Sequence, residues 1–286
     1  MGSFPGHALP GSFFIVMALW WTVNIVYYFN KARWTGQTYV SRSNFMVYRQ
    51  IGSFNIIPIE AIFKIVFAII GMLGEFFWSL KYDFGLPVGN AQHMTMFAFF
   101  GISGLCDIIA HYKKSDVPPN IDYVAVILAF LVEALLFNFH LQGRSSLDVT
   151  IHTLLVYVIL SNAVFVGIEL TTGNNALASL TKALSLLVQG TWFWQIGFIL
   201  YSPTRAPSTW HAEDHDHVFL AVLIFVWHVA IDIAVLAGTG FVVTLVQKRL
   251  FYETGGYRIV DISDSQYSRT MFLGKEDVLT DESDSS

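Results

Sequence analysis

Apolar residues fall into long runs along this chain, separated by polar and turn-forming segments. Seven runs are present, at about 12–29, 57–78, 91–112, 121–141, 149–170, 177–201 and 218–246. Each is close to the roughly 20 residues that an α-helix needs to cross a bilayer. The pattern predicts an all-α fold, a polytopic membrane bundle of seven transmembrane helices. A six-helix bundle, in which the first run is cleaved or re-entrant, is the alternative.

Composition supports a membrane protein and narrows its partners. Hydrophobic residues make up 54% of the chain and charged residues 13%, far from the balance of soluble domains. A net charge of −5 argues against nucleic acid as a partner. Membrane lipids are the partner that this composition implies, and a homo-oligomer is a further hypothesis.

The chain divides into one bundle and one tail. Residues 1–250 hold the seven apolar runs, whereas 251–286 are polar and end in acidic, serine-rich sequence that is typical of disorder. Within this tail, Tyr257-Arg-Ile-Val260 resembles a tyrosine-type sorting signal, so sorting adaptors are candidate partners.

The distribution of lysine and arginine predicts the orientation. One side of the bundle carries Lys31, Arg33, Arg42, Arg49, Lys113, Lys114, Lys248 and Arg249, and the other carries Lys81, Arg144 and Arg205. Because basic loops stay in the cytosol, we expect a cytosolic C-terminus and a lumenal or extracellular N-terminus.

Ionisable residues inside the apolar runs indicate a candidate site. Glu133 and His140 are seven residues apart and share a helix face, as do Asp148 and His152, which are four apart. Glu133 lies about 10 Å deeper than His140 at 1.5 Å per residue. Charges at such depth are costly and suggest function.

The predicted orientation places further polar residues in the same lumenal half. These are His7, Glu75, His93 and His228. We expect Glu133 and His228 to meet near mid-membrane, below a ring of the shallower histidines and Asp148. Asp107 lies near the opposite face, where we expect it to pair with His111, and is too far away to join the ring.

This inventory of side chains suits several kinds of chemistry. Three or four histidines with carboxylates are typical ligands of zinc or non-haem iron, and histidine pairs also bind haem. We expect His93, His140, His152, His228 and Asp148 as zinc ligands, with Glu133 as a further ligand or the general base. Alternatively, the same groups form a proton relay.

Structural roles compete with these assignments. Asp148 stands three residues after Ser145, as in a helix capping box. Glu60 and Lys64, one helical turn apart, are expected to neutralise each other. Trp192 and Trp194 are expected in the interfacial aromatic belt.

Several motifs together resemble the transmembrane protein 45 family, which is defined by a domain of unknown function. The motifs are Gly6-His-Ala-Leu-Pro-Gly11, Gln92-His93-x-Thr-Met96, Glu133 with His140, Arg144 with Asp148 and His152, Gln189-Gly-Thr-Trp-Phe-Trp-Gln-Ile-Gly-Phe198, and Trp227-His228. The resemblance implies a multi-pass protein of the Golgi, endosomal or plasma membrane. It maps motif residues onto His7, His93, Asp107, Glu133, His140, Asp148, His152, Gln189, Gln195 and His228.

Three functional hypotheses follow. The first is a metal-dependent intramembrane hydrolase acting on a lipid, with zinc as its cofactor and haem as the less favoured group. The second is a proton-linked transporter or channel, which needs a wet path from the histidine ring to Asp107. The third is a non-catalytic membrane scaffold or trafficking factor whose polar residues hold the helices together.

Overall fold

The described residues form seven α-helices, and all seven are long and apolar enough to cross a membrane. The computed structural model describes residues 3–45, 58–80, 85–113, 115–141, 143–201, 209–253, 259–260 and 271–272. The helices are α1 Phe4–Trp34, α2 Ile59–Ser79, α3 Val88–Tyr112, α4 Ile121–Phe139, α5 Ser146–Thr172, α6 Ala176–Leu200 and α7 His215–Glu253. The predicted all-α bundle is therefore confirmed, each helix overlapping one predicted run.

Beyond the bundle, two short strands pair in antiparallel fashion, β1 Ile259–Val260 with β2 Met271–Phe272. The helix α7 ends at Glu253, slightly beyond the predicted boundary at residue 250. The rest of the predicted disordered tail, including Tyr257 of the sorting signal, lies outside the described residues, so both predictions stay untested.

Six helices pack in a ring, and α7 lies outside it. Around the ring, α1 packs on α6, α6 on α5, α5 on α4, α4 on α3 and α3 on α2. The ring closes between α2 and α1, where the backbones make the least extensive contact. The outer helix α7 packs on α1, α5 and α6 and is the most exposed helix, as expected for a surface in lipid.

Glycines allow the closest helix crossing, between α1 and α6. A Cβ atom on Gly190 would lie 2.8 Å from the carbonyl oxygen of Gly11, and a Cβ on Gly11 would lie 2.8 Å from the carbonyl oxygen of Gly190. Small residues at such crossings let two backbones approach, which is how membrane helices gain packing energy. This crossing fixes the N-terminal half of α1, which carries His7.

Capping residues set where the helices begin. The Ser145 hydroxyl accepts a hydrogen bond from the backbone N–H of Asp148 at 3.4 Å, so the predicted cap at the start of α5 is present. The Asn175 side chain caps α6 in the same manner. The first cap places Asp148 in the opening turn of α5, next to the candidate site.

Candidate functional site

A cavity opens at the end of the bundle where α1, α3 and α5 begin and α2, α4 and α6 end; we call this the cavity end. The volume in it that a water-sized molecule can occupy is about 60 Å³, which is room for a few waters. Its apolar wall is largely aromatic, formed by Phe13, Phe14, Phe67, Met96, Phe97, Phe100, Phe137 and Phe193. Its polar lining consists of His7, Glu75, His93, Glu133, His140, Arg144 and His152.

Four histidines lie at the mouth of the cavity, which we call the rim: His7, His93, His140 and His152. One pair of them comes from α3 and the end of α4. The ring centroids of His93 and His140 are 5.5 Å apart. The His93 Nδ1 atom lies 3.1 Å from Glu75 Oε1, and the His140 Nδ1 atom lies 3.1 Å from Gln92 Oε1. Each ring is therefore oriented by an acceptor on its Nδ1 side.

The second pair comes from α1 and α5. The ring centroids of His7 and His152 are 5.7 Å apart. The His152 Nδ1 atom lies 2.6 Å from Asp148 Oδ1, and the His7 Nδ1 atom lies 3.1 Å from the carbonyl oxygen of Ser3. Asp148 also accepts from Arg144 Nη1 at 3.0 and 2.9 Å, so it holds a cation and an imidazole together.

These contacts define the protonation pattern of the rim. Since all four Nδ1 atoms face oxygen acceptors, Nδ1 carries the proton in each neutral ring and Nε2 is left as the acceptor. Burial and the nearby Arg144 guanidinium lower the pKa of His140 to about 4, so this ring is neutral at physiological pH. Burial and the neighbouring Asp148 carboxylate raise the pKa of the Tyr201 hydroxyl.

Glu133 forms the floor of the cavity and is only 3% exposed. The Nε2 atom of Gln189 donates to both of its carboxyl oxygens, at 3.0 and 3.1 Å. The side chain of Gln189 is held in turn by Asn162, whose Nδ2 donates to Gln189 Oε1 at 2.6 Å. The predicted residue Gln189 therefore supports the floor from behind without lining the cavity.

The structure does not bring His228 into the cavity. This residue lies on the outer helix α7, where its Nε2 is 3.4 Å from Gln195 Oε1 and its ring packs edge-on against Trp192. The expected meeting of His228 and Glu133 is not seen, because the Glu133 carboxyl is held by Gln189. Trp192 is fully buried and donates to the carbonyl oxygen of Ile151 at 2.9 Å, so its predicted place in the interfacial belt is wrong.

Within the part of the chain that the structure describes, no group of three or more His, Cys, Asp or Glu side chains is arranged to hold a metal ion. The rim histidines approach one another in pairs, and Asp148 is already engaged by Arg144 and His152. The predicted ligand set of His93, His140, His152, His228 and Asp148 is therefore not assembled as a single centre.

The opposite end of the bundle holds a separate charged network. Lys64 Nζ lies 2.7 Å from Asp107 Oδ2 and 3.4 Å from Glu60 Oε1, so the predicted Glu60–Lys64 pair is confirmed and gains a third member. Asp107 is thus bound to Lys64, where its pairing with His111 was expected, and its depth along α3 keeps it out of the cavity. A second ion pair, Lys182 with Glu169 at 2.5 Å, is also fully buried at this end.

A segment of residues 35–45, which we call the strap, covers this network. Its backbone and side chains bond to five helices or their ends: Phe45 N–H to Glu60, Asn44 to Asp107, Ser43 to Asp122, Ser41 N–H to the carbonyl of Gly173, and Tyr39 hydroxyl to Ser179. Sequence reasoning missed the strap, Lys182 and Glu169. Lys182 and Glu169 were visible as charges within apolar runs, which by cost alone deserve a partner.

Aromatic rings separate the two ends. Phe100 and Phe130 are 7% and 1% exposed, and their ring centroids are 5.4 Å apart. They lie along α3 and α4 between the floor at Glu133 and the network at Asp107. A proton relay between the two ends would require these rings to move apart.

The proteins that this chain resembles support its assignment as a multi-pass membrane protein. Residues 120–241 match the model of a Family of unknown function (DUF716). Over 147 residues, the chain is 25% identical to "Transmembrane epididymal protein 1" of Homo sapiens, covering 51% of this chain and 54% of the relative. The relative of the same name from Rattus norvegicus is 24% identical over 147 residues, covering 51% of this chain and 48% of the relative.

These matches cover about half of each relative and of this chain. The matched family segment includes Glu133, His140, Asp148, His152 and Gln189 but begins after His7, Glu75 and His93. The narrower name suggested by the motifs, the transmembrane protein 45 family, stays a prediction. The chain is an integral membrane protein similar to a family of unknown function.

Proposed function

We propose that this membrane protein binds an amphiphilic lipid in the cavity, with the lipid's polar group at the histidine rim and its chain among the phenylalanines. The observation that carries the proposal is the division of the lining: rings from α1, α2, α3, α4 and α6 form the wall, whereas imidazoles and Arg144 cluster at the mouth. Apolar walls with a few converging polar groups are typical of small-molecule sites.

The α1–α2 seam offers a route from the bilayer. Here the helix backbones make little contact, and aromatic rings pack across the seam. The Phe13 ring stacks on Phe67 at 4.0 Å and on Phe63 at 5.3 Å, and Phe13 and Phe67 also line the cavity. Since Phe63 is 37% exposed, these stacked rings lie between the cavity and the surrounding lipid.

Photolabelling tests this binding. We would reconstitute the protein in nanodiscs with a monoacylglycerol that carries a diazirine on its chain, and map the labelled peptides. Met96→Trp places bulk in the cavity, whereas Leu135→Trp places the same bulk on the outer face of α4, where Leu135 is 56% exposed. We expect labelling at α1, α3 and α4 that Met96→Trp abolishes and Leu135→Trp preserves; equal labelling in both variants contradicts the proposal.

Hydrolysis of the bound lipid is a second candidate, and the His152–Asp148 contact favours it. A carboxylate on Nδ1 holds an imidazole in the tautomer whose Nε2 accepts a proton. Nε2 would take a proton from water as the water oxygen attacks an ester carbonyl carbon, and would return it to the leaving alkoxide. His152→Gln should then stop release of fatty acid while the photoprobe still binds; release that continues in this variant contradicts the role.

The zinc-dependent form of this hypothesis draws support only from the chemistry of the rim. Histidines bound to zinc usually donate their second nitrogen to a carboxylate or carbonyl, as all four rim residues do to an oxygen acceptor. Catalytic zinc takes three protein ligands, however, and the described side chains converge in pairs. Stoichiometric zinc in protein purified without chelator, lost in His140→Ala and His152→Ala, would favour the metal; its absence leaves the metal-free mechanism.

Placement in the cell is part of the proposal. We place the cavity end on the lumenal or extracellular side of a Golgi, endosomal or plasma membrane, from the lysine and arginine distribution and the family resemblance. Epitope tags at the two termini, probed before and after selective permeabilisation of the plasma membrane, test the orientation. A cytosolic N-terminus would contradict it.

A further inference from the structure

The floor of the cavity carries a strongly buried carboxyl group that could accept more hydrogen bonds than the protein donates to it. Glu133 is 97% shielded, and the hydrogen bonds to its oxygens come from a single nitrogen, Nε2 of Gln189, among the residues that the structure describes. A carboxylate has about four acceptor positions. Phe100, Phe137 and Phe193, which line the cavity together with Glu133, offer no conventional donor.

The direction of the supporting amides is fixed by the backbone. The carbonyl oxygen of Val158 can only accept, and it lies 3.2 Å from the side-chain nitrogen of Asn162. The same nitrogen must therefore donate to Gln189 Oε1, at 2.6 Å, which turns Gln189 Nε2 toward Glu133. The donors in this series of hydrogen bonds point from Asn162 through Gln189 toward Glu133, which accepts the last bond.

The depth of Glu133 gives the position at which a polar group of the ligand would meet it. It stands seven residues before His140 on the same face of α4, about 10 Å along the helix axis. A ligand whose polar head lies at His140 would place the middle of its chain beside Glu133. An unsubstituted chain there gives the buried carboxyl no partner beyond the Gln189 amide, and a carboxyl group among apolar surroundings with so few partners is costly.

We infer that the ligand is an amphiphile that carries a second polar group, a hydrogen-bond donor such as an amine or hydroxyl, on its chain about 10 Å from the head. Glu133 selects this group by accepting its hydrogen bond. The inference rests on the proposed function, because it names the class of lipid that the same cavity takes.

Three competitors that differ at one position test the selection. They are a monoacylglycerol with a plain chain, the same molecule with a mid-chain amine, and the same molecule with a mid-chain ketone, each used to displace the diazirine probe. The amine only donates at neutral pH, whereas the ketone only accepts. Wild-type protein should bind the amine at least about tenfold more tightly than the plain chain, and also more tightly than the ketone.

Glu133→Gln should reverse this order. The new amide oxygen takes the hydrogen bond from Gln189, so the new amide nitrogen faces the cavity as a donor. The variant should then prefer the ketone over the amine, while the plain chain binds as before and shows that the cavity is intact. Glu213→Gln, at the exposed Glu213 outside the cavity, is the matched control and should keep the wild-type order.

Other outcomes overturn the inference. If wild-type protein binds the three competitors equally, or if Glu133→Gln keeps the preference for the amine, Glu133 does not select a donor, although lipid binding itself stands. If none of the three displaces the probe and the probe does not label the cavity, the proposed function fails and this inference fails with it.

Discussion

Replacing Gly190 by alanine tests whether the α1–α6 crossing holds the cavity end together. The added Cβ atom would lie 2.8 Å from the carbonyl oxygen of Gly11 and 2.8 Å from the backbone nitrogen of Ile15. Both contacts are to backbone atoms, so no side-chain rotation relieves them and the two helices must move apart. Overpacking of this kind costs about 1–3 kcal/mol.

Gly167→Ala in α5 is the matched control, because a Cβ atom there meets nothing within 4 Å. Both substitutions remove a helical glycine and so gain the same propensity, up to about 1 kcal/mol. The difference between the two variants therefore isolates the steric cost. We expect Gly190→Ala to be less stable than Gly167→Ala by about 1–3 kcal/mol.

The assay is thermal unfolding of the purified variants in one detergent, followed by a thiol-reactive dye on Cys106 and by tryptophan fluorescence. The melting temperature of Gly190→Ala should fall several degrees below that of Gly167→Ala, and the photoprobe should label the cavity less, since α1 carries His7. Equal melting temperatures would refute the reasoning and show that α1 and α6 are not packed this closely.

Three further predictions concern the two polar systems. Lys64→Met should destabilise the protein by about 3–5 kcal/mol, because it leaves the carboxylates of Asp107 and Glu60 buried without a cation. In thermal unfolding, adding Asp107→Asn to this variant should recover part of the lost stability. No recovery would contradict the pairing. The pKa of His140 is about 4 in the folded protein, below the 6.5 of a free imidazole, so the stability that the neutral ring contributes is complete above pH 6.5 and is lost as pH falls from 6.5 to about 4. His140→Gln should flatten this part of the profile of unfolding free energy against pH. An unchanged slope would assign the pH dependence to other groups. Trp192→Phe should cost about 1 kcal/mol beyond lost packing, because it removes the indole hydrogen bond that the Ile151 carbonyl accepts in addition to its bond within α5. Trp227→Phe, on the exposed face of α7, should leave the unfolding midpoint unchanged.

Helix number and depth could be predicted from the sequence because they depend only on run length and residue counting. A bilayer sets the length of each apolar run, so all seven helices were found, with ends that differ by a few residues. Depth follows from 1.5 Å per residue, which is why His93, His140 and His152 were correctly placed at one end with Glu133 below them.

Rotation of the helices about their own axes could not be predicted in the same way. In a membrane the face toward lipid and the face toward the bundle are both apolar, so hydrophobic periodicity does not separate them. Trp192 has the composition of an interfacial residue but points into the centre of the bundle. The error at His228 is of another kind: this residue faces α6, but its helix packs outside the ring of the other six. Neither error concerns depth.

The two ends of the bundle differ in how their charges are compensated, and this difference indicates which end binds a ligand. At the opposite end, Lys64 is shared by Glu60 and Asp107, and Lys182 is paired with Glu169, so each buried cation has a carboxylate partner under the strap. In such a network the protein compensates its own buried charges, and no ligand is needed for that.

At the cavity end, hydrogen bonds hold the polar groups in position, but these groups can still accept further hydrogen bonds. The rim imidazoles are fixed through Nδ1, which leaves Nε2 as an acceptor, and Glu133 is fixed through Gln189 with acceptor positions to spare. Polar groups in a bilayer that are held in place by second partners, yet keep free capacity toward an aromatic cavity, are costly unless something else satisfies them. A scaffold role would require only the first kind of network; the second kind is the physical reason to look for a ligand.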